Sequence, residues 1–201
     1  KNFDFPYKSQ NLTDFWRNWH ISLSSWLRDY IYIPLGGNRK GTFRTYVNNF
    51  LTMLIGGLWH GADWKFVFWG AMHGVGLAIH KAFKPILNKI PNVWPVKAIS
   101  WLMTITIVSL LWVFFRADSW SDSIEIIKNI FTNFRYDYIP VFASVRYIWL
   151  VMISIIILAH SLPRRWYDVM ARWFVKSPWI AKFAIFVIVV QLVIQFMNEE
   201  V

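Results

Sequence analysis

Five histidines are the side chains of this sequence able to exchange a proton near neutral pH, and two stand out by their surroundings. His60 lies in Gly57-Leu58-Trp59-His60-Gly61-Ala62, where an apolar run breaks. An imidazole has an unperturbed pKa of about 6.5, so it can take and return a proton at the working pH. A polar group at membrane depth is costly, which marks it as a functional candidate. The flanking glycines would leave room for a substrate, and Trp59 would wall one side. A second reading stands beside this one: a packing histidine bonded to a backbone carbonyl. His20 shares an apolar face with Trp16, Leu23 and Leu27, and read alone it fits packing better than catalysis.

The remaining candidates carry less. His73 and His80 lie seven residues apart on one helical face, yet no further ligand accompanies them. Mg or Ca would want carboxylates, and the apolar runs have almost none, so no metal centre is expected. His160, beside Arg164, reads as interfacial. Gly36-Gly37 followed by Arg39 and Lys40 could hold a phosphate of coenzyme A or of a lipid headgroup. A solvated basic loop explains the same residues equally well. There is no cysteine, which excludes thiol catalysis and disulfides within these residues. No Ser-His-Asp order and no phosphate-cradling glycine loop stands out.

The elements that must position these groups belong to a bilayer. Hydrophobic residues make up 56% and charged residues 16%, against about 25% charged in soluble domains. Uncharged stretches cover 45–62, 98–115, 147–163 and 183–198, and a spanning helix needs roughly 20 mostly apolar residues. The fold class expected is an all-α integral membrane protein, one membrane-embedded region over 1–201. Apolar helices are expected at 46–60, 65–81, 97–115, 146–162 and 179–197, the first short enough to be partly re-entrant. Gly70, Gly74 and Gly76 would let neighbouring helices approach closely. Residues 1–45 hold an amphipathic helix, read as starting at Thr13 and running unbroken to Tyr30, and then a basic loop. Residues 46–81 hold the helix pair around His60. Residues 97–197 hold three further helices with amphipathic connectors, one with Ile124, Ile127, Phe131 and Phe134 on a single face, the other basic over 164–177. The segment 81–97 is expected to be broken at Pro85, Pro91 and Pro95.

The net charge of +10 sits in short Lys/Arg clusters at 36–45, 81–97 and 163–178. Such clusters between apolar runs look like cytoplasmic loops rather than a nucleic-acid surface. If all five helices span, these loops share one side, and 116–145 and the Glu199-Glu200 tail lie opposite. The chain starts at Lys1 without an initiator methionine or a signal-peptide pattern. We read it as a piece whose upstream helices lie elsewhere.

The run from Asp14 to Tyr30 (DFWRNWHISLSSWLRDY), followed by Ile33-Pro34-Leu35-Gly36-Gly37-Asn38-Arg39, resembles the membrane-bound O-acyltransferase (MBOAT) family in its bacterial polysaccharide-acetylating branch. Gly57–Ala62 looks like the family's second signature. Trp69-Gly70-Ala71-Met72-His73-Gly74 and Trp112–Asp118 continue the similarity, which is dense over 2–81. The resemblance implies the C-terminal part of a multi-helix bundle with interfacial amphipathic helices. It implies His60 as the catalytic histidine and His20 as the second motif histidine. It also implies a cytoplasmic thioester donor, acetyl-CoA, entering near Arg39 and Lys40, with Trp59 beside the reacting group and no bound cofactor. The implied partners are membrane lipid, a polysaccharide acceptor and a separate extracytoplasmic acetyltransferase, at the bacterial inner membrane as a multi-pass protein. The implied upstream helices complete a tunnel, so the piece alone is expected to be inactive. The alternatives are D-alanyl or other acyl transfer to an envelope polymer, or a transporter or scaffold subunit. A transporter would be expected to show paired intramembrane charges or repeated broken helices, and neither is visible.

Overall fold

A computed structural model describes residues 1–198 of the chain, with side chains through residue 194; the Glu199-Glu200 part of the topology reading lies outside the described residues. The chain forms two compact units, Lys1–Ile139 and Pro140–Val201. The first holds α1 (Leu12–Asn18), α2 (Ile21–Leu27), α3 (Thr42–His60), α4 (Trp64–Leu87), α5 (Trp94–Arg116) and α6 (Trp120–Thr132). The second is built from α7 (Ile139–Val145), α8 (Tyr147–Ser161), α9 (Arg164–Lys176) and α10 (Trp179–Asn198).

All five expected apolar helices form, several with longer ends. α4 continues through Pro85 to Leu87 instead of stopping at 81, and the break falls at 88–93. Pro95 sits in the first turn of α5, where its missing N–H costs nothing. Only α5 is by itself long and apolar enough to cross a bilayer among the described residues. The segments Tyr136–Val145 with Tyr147–Ser161, and Arg164–Lys176 with Trp179–Ile194, pass only as pairs, bent by 88° and 116°. α3 falls short because seven of its 19 residues are polar, Thr45, Asn48 and Thr52 among them buried along it. Thr45 Oγ1 donates to Gly41 O, Thr52 Oγ1 to Asn48 O, and Asn48 Nδ2 to Gly37 O at 2.9 Å, while among the described residues the buried Asn48 Oδ1 has no partner.

The unbroken amphipathic helix expected over 13–30 is corrected by the structure. Asn11, not Thr13, caps α1, its side chain accepting from Asp14 N. The helix then breaks at Trp19–His20, restarts as α2, and ends in a π-helical turn over Arg28–Tyr32. The single apolar face divides accordingly. Leu12, Phe15 and Trp16 enter the core with Met53, Trp69, Val108 and Leu111, whereas Trp26 and Tyr30 stack on each other at 5.5 Å on the outside. Likewise α6 ends at Thr132, so Phe134 lies beyond the helix whose face it was assigned to.

The centre of the first unit is the antiparallel hairpin α3/α4. Gly57 and Gly70 meet backbone to backbone: a Cβ at Gly57 would lie 2.3 Å from Phe66 O, and one at Gly70 would lie 2.5 Å from Met53 O. Small residues at such a crossing let dispersion act over the whole helix length. This revises the role given to Gly57 and Gly61. Phe66 O fills the space over Gly57, and the Phe66 ring would stand 2.8 Å from a Cβ at Gly61, so neither leaves an open approach to His60. Gly57→Ala in the full-length protein is expected to cost about 1–3 kcal/mol, as overpacking against rigid backbone does. Gly56→Ala meets only a flexible Leu27 methyl at 3.1 Å and should be close to neutral. Thermal unfolding of both variants in detergent checks this; equal losses would refute the packing account.

Candidate functional site

His60 is the last residue of α3, and the turn 61–63 returns the chain into α4, capped by Asp63 accepting from Lys65 N. The imidazole stands inside a box of rings: Trp59 at 4.9 Å, Phe66 at 6.2 Å, Trp69 at 5.4 Å and Phe115 at 4.9 Å between centroids. Trp69 and Phe115 present themselves at 90° and 83°, the edge-to-face arrangement favoured by ring quadrupoles. Phe115 arrives from the end of α5. That end is held by Lys65, whose ammonium donates to the carbonyls of Ala117 and Asp118. Among the described residues no hydrogen bond ties either nitrogen of His60, so the packing reading, which required a carbonyl partner, finds none. The ring is positioned by apolar walls, and its nitrogens remain available.

His20 occupies the break between α1 and α2 with φ 45° and ψ 53°, a left-handed conformation that few non-glycine residues adopt. The N-terminal segment clamps it there. Asn2 O accepts from Ile21 N at 2.8 Å, and Asn2 Oδ1 accepts from both Ser22 N and Ser22 Oγ at 2.9 Å. The first amides of α2 are thus capped by Asn2 from the far N-terminal segment, while Asn2 Nδ2 approaches His20 Nδ1 at 3.4 Å. The His20 ring meets the Phe3 ring at 6.2 Å between centroids.

Arg39 and Lys40 are both exposed, and the Lys40 side chain folds over Gly36. A cavity of about 970 Å³ instead opens between α1, α2 and the far end of the hairpin, its basic lining being Arg17, Arg28, His80, Lys81 and Lys84. Lys81 also donates to Asn38 Oδ1 at 3.0 Å. His80 Nδ1 pairs with Thr13 Oγ1 at 2.9 Å, and Trp16 and Met53 also line the cavity. Trp16 donates from Nε1 to His73 Nδ1 at 3.2 Å, and its ring meets Trp69 at 5.7 Å. The sequence reading weighed His73 only as a metal ligand and did not see its burial against Trp16 and Trp69, nor did it single out Arg17, Arg28, Lys81 and Lys84. The i,i+4 spacing of Trp69 and His73, which puts them on one face of α4, was the available signal.

Residues 2–116 match the model of the membrane-bound O-acyltransferase family. The chain belongs to that family. Within it, the chain is 56% identical over 119 residues to a protein named "Probable alginate O-acetylase AlgI" from Pseudomonas putida, covering 59% of this chain and 24% of that protein. It is 46% identical over 129 residues to a peptidoglycan O-acetyltransferase of Helicobacter pylori, 64% of this chain and 24% of that protein. A teichoic acid D-alanyltransferase of Streptococcus thermophilus is 37% identical over 98 residues, 44% of this chain and 24% of that protein. The chain thus spans about a quarter of the length of these MBOAT relatives. The family match covers both motif histidines, the aromatic box and α5 up to Arg116, and it ends before the second unit.

Proposed function

We propose that the protein is an O-acyltransferase that takes an acetyl group from a cytoplasmic thioester donor, acetyl-CoA, and passes it towards a polysaccharide outside the inner membrane. One observation carries this reading: an imidazole without a hydrogen-bond partner among the described residues, boxed by four aromatic rings, at one end of a hairpin whose other end is a basic cavity. Trp69 and Lys81 are twelve residues apart on α4, about 18 Å of helix rise. A coenzyme A thioester has that polarity, with phosphates at one end and the reacting carbonyl at the other. Arg17, Lys81 and Lys84 would hold the phosphates, displacing Arg39 and Lys40 from the role first given them.

In the reaction, His60 accepts the proton of the acceptor hydroxyl as its oxygen attacks the thioester carbonyl. The carbon–sulfur bond breaks, and the leaving thiolate takes the proton back from the imidazolium. His20 assists from the neighbouring helix break. The acceptor is a polysaccharide, reached with the help of a separate extracytoplasmic acetyltransferase, and the greater likeness to proteins named for O-acetylation than to the D-alanyltransferase favours acetyl as the group moved.

The test is transfer of label from acetyl-CoA by the full-length membrane protein, with and without its extracytoplasmic partner. Label in the polymer fraction is expected; none with acetyl-CoA, but transfer of D-alanine, would overturn the acetyl assignment. Lys81→Gln combined with Lys84→Gln is expected to raise KM for the donor roughly ten-fold or more with kcat little changed, since charge-assisted bonds are worth about 1.5–3 kcal/mol each. An unchanged KM would remove the cavity from donor binding.

A further inference from the structure

The second unit contains a helix with no role in the reaction above. α9 separates its residues sharply: Arg164, Arg165, Asp168, Arg172 and Lys176 fall within one arc at helical spacing, while Trp166, Val169, Met170, Trp173 and Phe174 occupy the opposite one. That apolar arc is uncovered, with Trp173 76% and Met170 59% exposed. Such a face could lie on protein or on lipid, and the next element decides between them. α10 is apolar, with Lys182 as its only charged residue, and its axis turns from that of α9 by 116°.

The bend is built in. Pro178 follows Ser177, whose N–H bonds back to Trp173 O and Phe174 O and whose hydroxyl donates to Trp173 O. Lys182 reaches back to donate to Val175 O at 2.9 Å, satisfying a terminal carbonyl of α9 and drawing the one charge of α10 to the corner. With α10 standing in the hydrocarbon, α9 lies within about 30° of the membrane plane, the attitude of an interfacial amphipathic helix. Its aromatic arc then enters the acyl boundary, and Arg165, Arg172 and Lys176 meet the headgroups. A zwitterionic surface would satisfy the apolar arc alone. Four cations on the other arc (Arg164, Arg165, Arg172 and Lys176) against one Asp168 complement a negative one, each basic residue near such a surface favouring it about five-fold.

We propose that α9 is a surface-lying helix that selects anionic phospholipid headgroups. The test uses the full-length protein with its other cysteines replaced. A single cysteine carrying an environment-sensitive fluorophore is placed at Met170→Cys on the apolar arc or Val175→Cys on the basic one, in vesicles of phosphatidylcholine with a share of phosphatidylglycerol. The Met170→Cys probe should be quenched by lipids with spin-labelled acyl chains and protected from iodide, and the Val175→Cys probe should show the reverse. Spin-labelled phosphatidylglycerol should quench the Met170→Cys probe more than an equal fraction of spin-labelled phosphatidylcholine. Arg165→Gln with Arg172→Gln and Lys176→Gln should abolish that difference. A Met170→Cys probe shielded from both quenchers would show the face packed on protein, and one open to iodide would show it in water. Equal quenching by the two lipids in the unsubstituted helix would remove the headgroup preference. Each of these three results overturns the proposal.

Discussion

Full-length protein carrying His60→Gln should insert and accumulate normally and transfer no detectable acetyl group. The ring in the native protein makes no hydrogen bond among the described residues, and its contacts are edge and face contacts with Trp59, Phe66, Trp69 and Phe115. Glutamine keeps much of the bulk inside that box, so the fold loses little. It keeps a hydrogen-bonding group as well, but it cannot take and release a proton at neutral pH. Loss of general base catalysis lowers turnover by about 10²–10⁴-fold, which reaches the floor of most acyl-transfer assays. His60→Ala should behave alike in turnover while also opening a cavity among the rings, with a fall in thermal stability that the glutamine variant does not share. Label transfer above about a tenth of wild type by His60→Gln would exceed what loss of a base allows. The proton acceptor would then have to be sought elsewhere.

What the sequence made legible follows from how locally each signal is written. Helix positions were readable because apolar runs and their charged or proline-bearing ends are local, and all five formed. The two motif histidines were singled out by the resemblance of their surroundings, since the residues alone left a packing role open, and Phe115 was not singled out at all. Contacts between distant residues were not readable. Nothing local says that Asn2 will cap α2, and without that clamp an unbroken helix over 13–30 is the better expectation. The glycines around His60 were read as space because a missing side chain in sequence looks like a void. In the hairpin Gly57 is filled by α4 backbone and Gly61 by the Phe66 ring, which shows how close packing consumes such gaps. Arg39 and Lys40 drew attention as the basic residues beside a glycine pair. The residues lining the cavity, Arg17, Lys81 and Lys84, are brought together only by the antiparallel return of α4 beside α1.

The same clamp defines the experiment on His20, where backbone and side chain must be separated. At φ 45° the residue pays the left-handed penalty of about 1–2 kcal/mol that any Cβ brings, glycine excepted. Glycine adopts this conformation without penalty, and asparagine, like histidine, is enriched in it among the other residues. A histidine at this break leaves an imidazole where a glycine would turn the chain at no conformational cost. His20→Gly and His20→Asn in the full-length protein should therefore equal or exceed wild type in abundance and thermal stability, yet lose activity by about 10²-fold, the lower margin for a group that handles a proton. His20→Ala should lose activity to the same extent, with the backbone strain retained. Comparing the three isolates the cause, because all remove the ring, while glycine removes the backbone penalty and asparagine tolerates the conformation better than alanine. If His20→Gly or His20→Asn worked nearly as well as wild type, the residue would serve only to turn the chain between α1 and α2, and His60 would act without it. If activity fell only in proportion to abundance across all three, the histidine would be a packing residue.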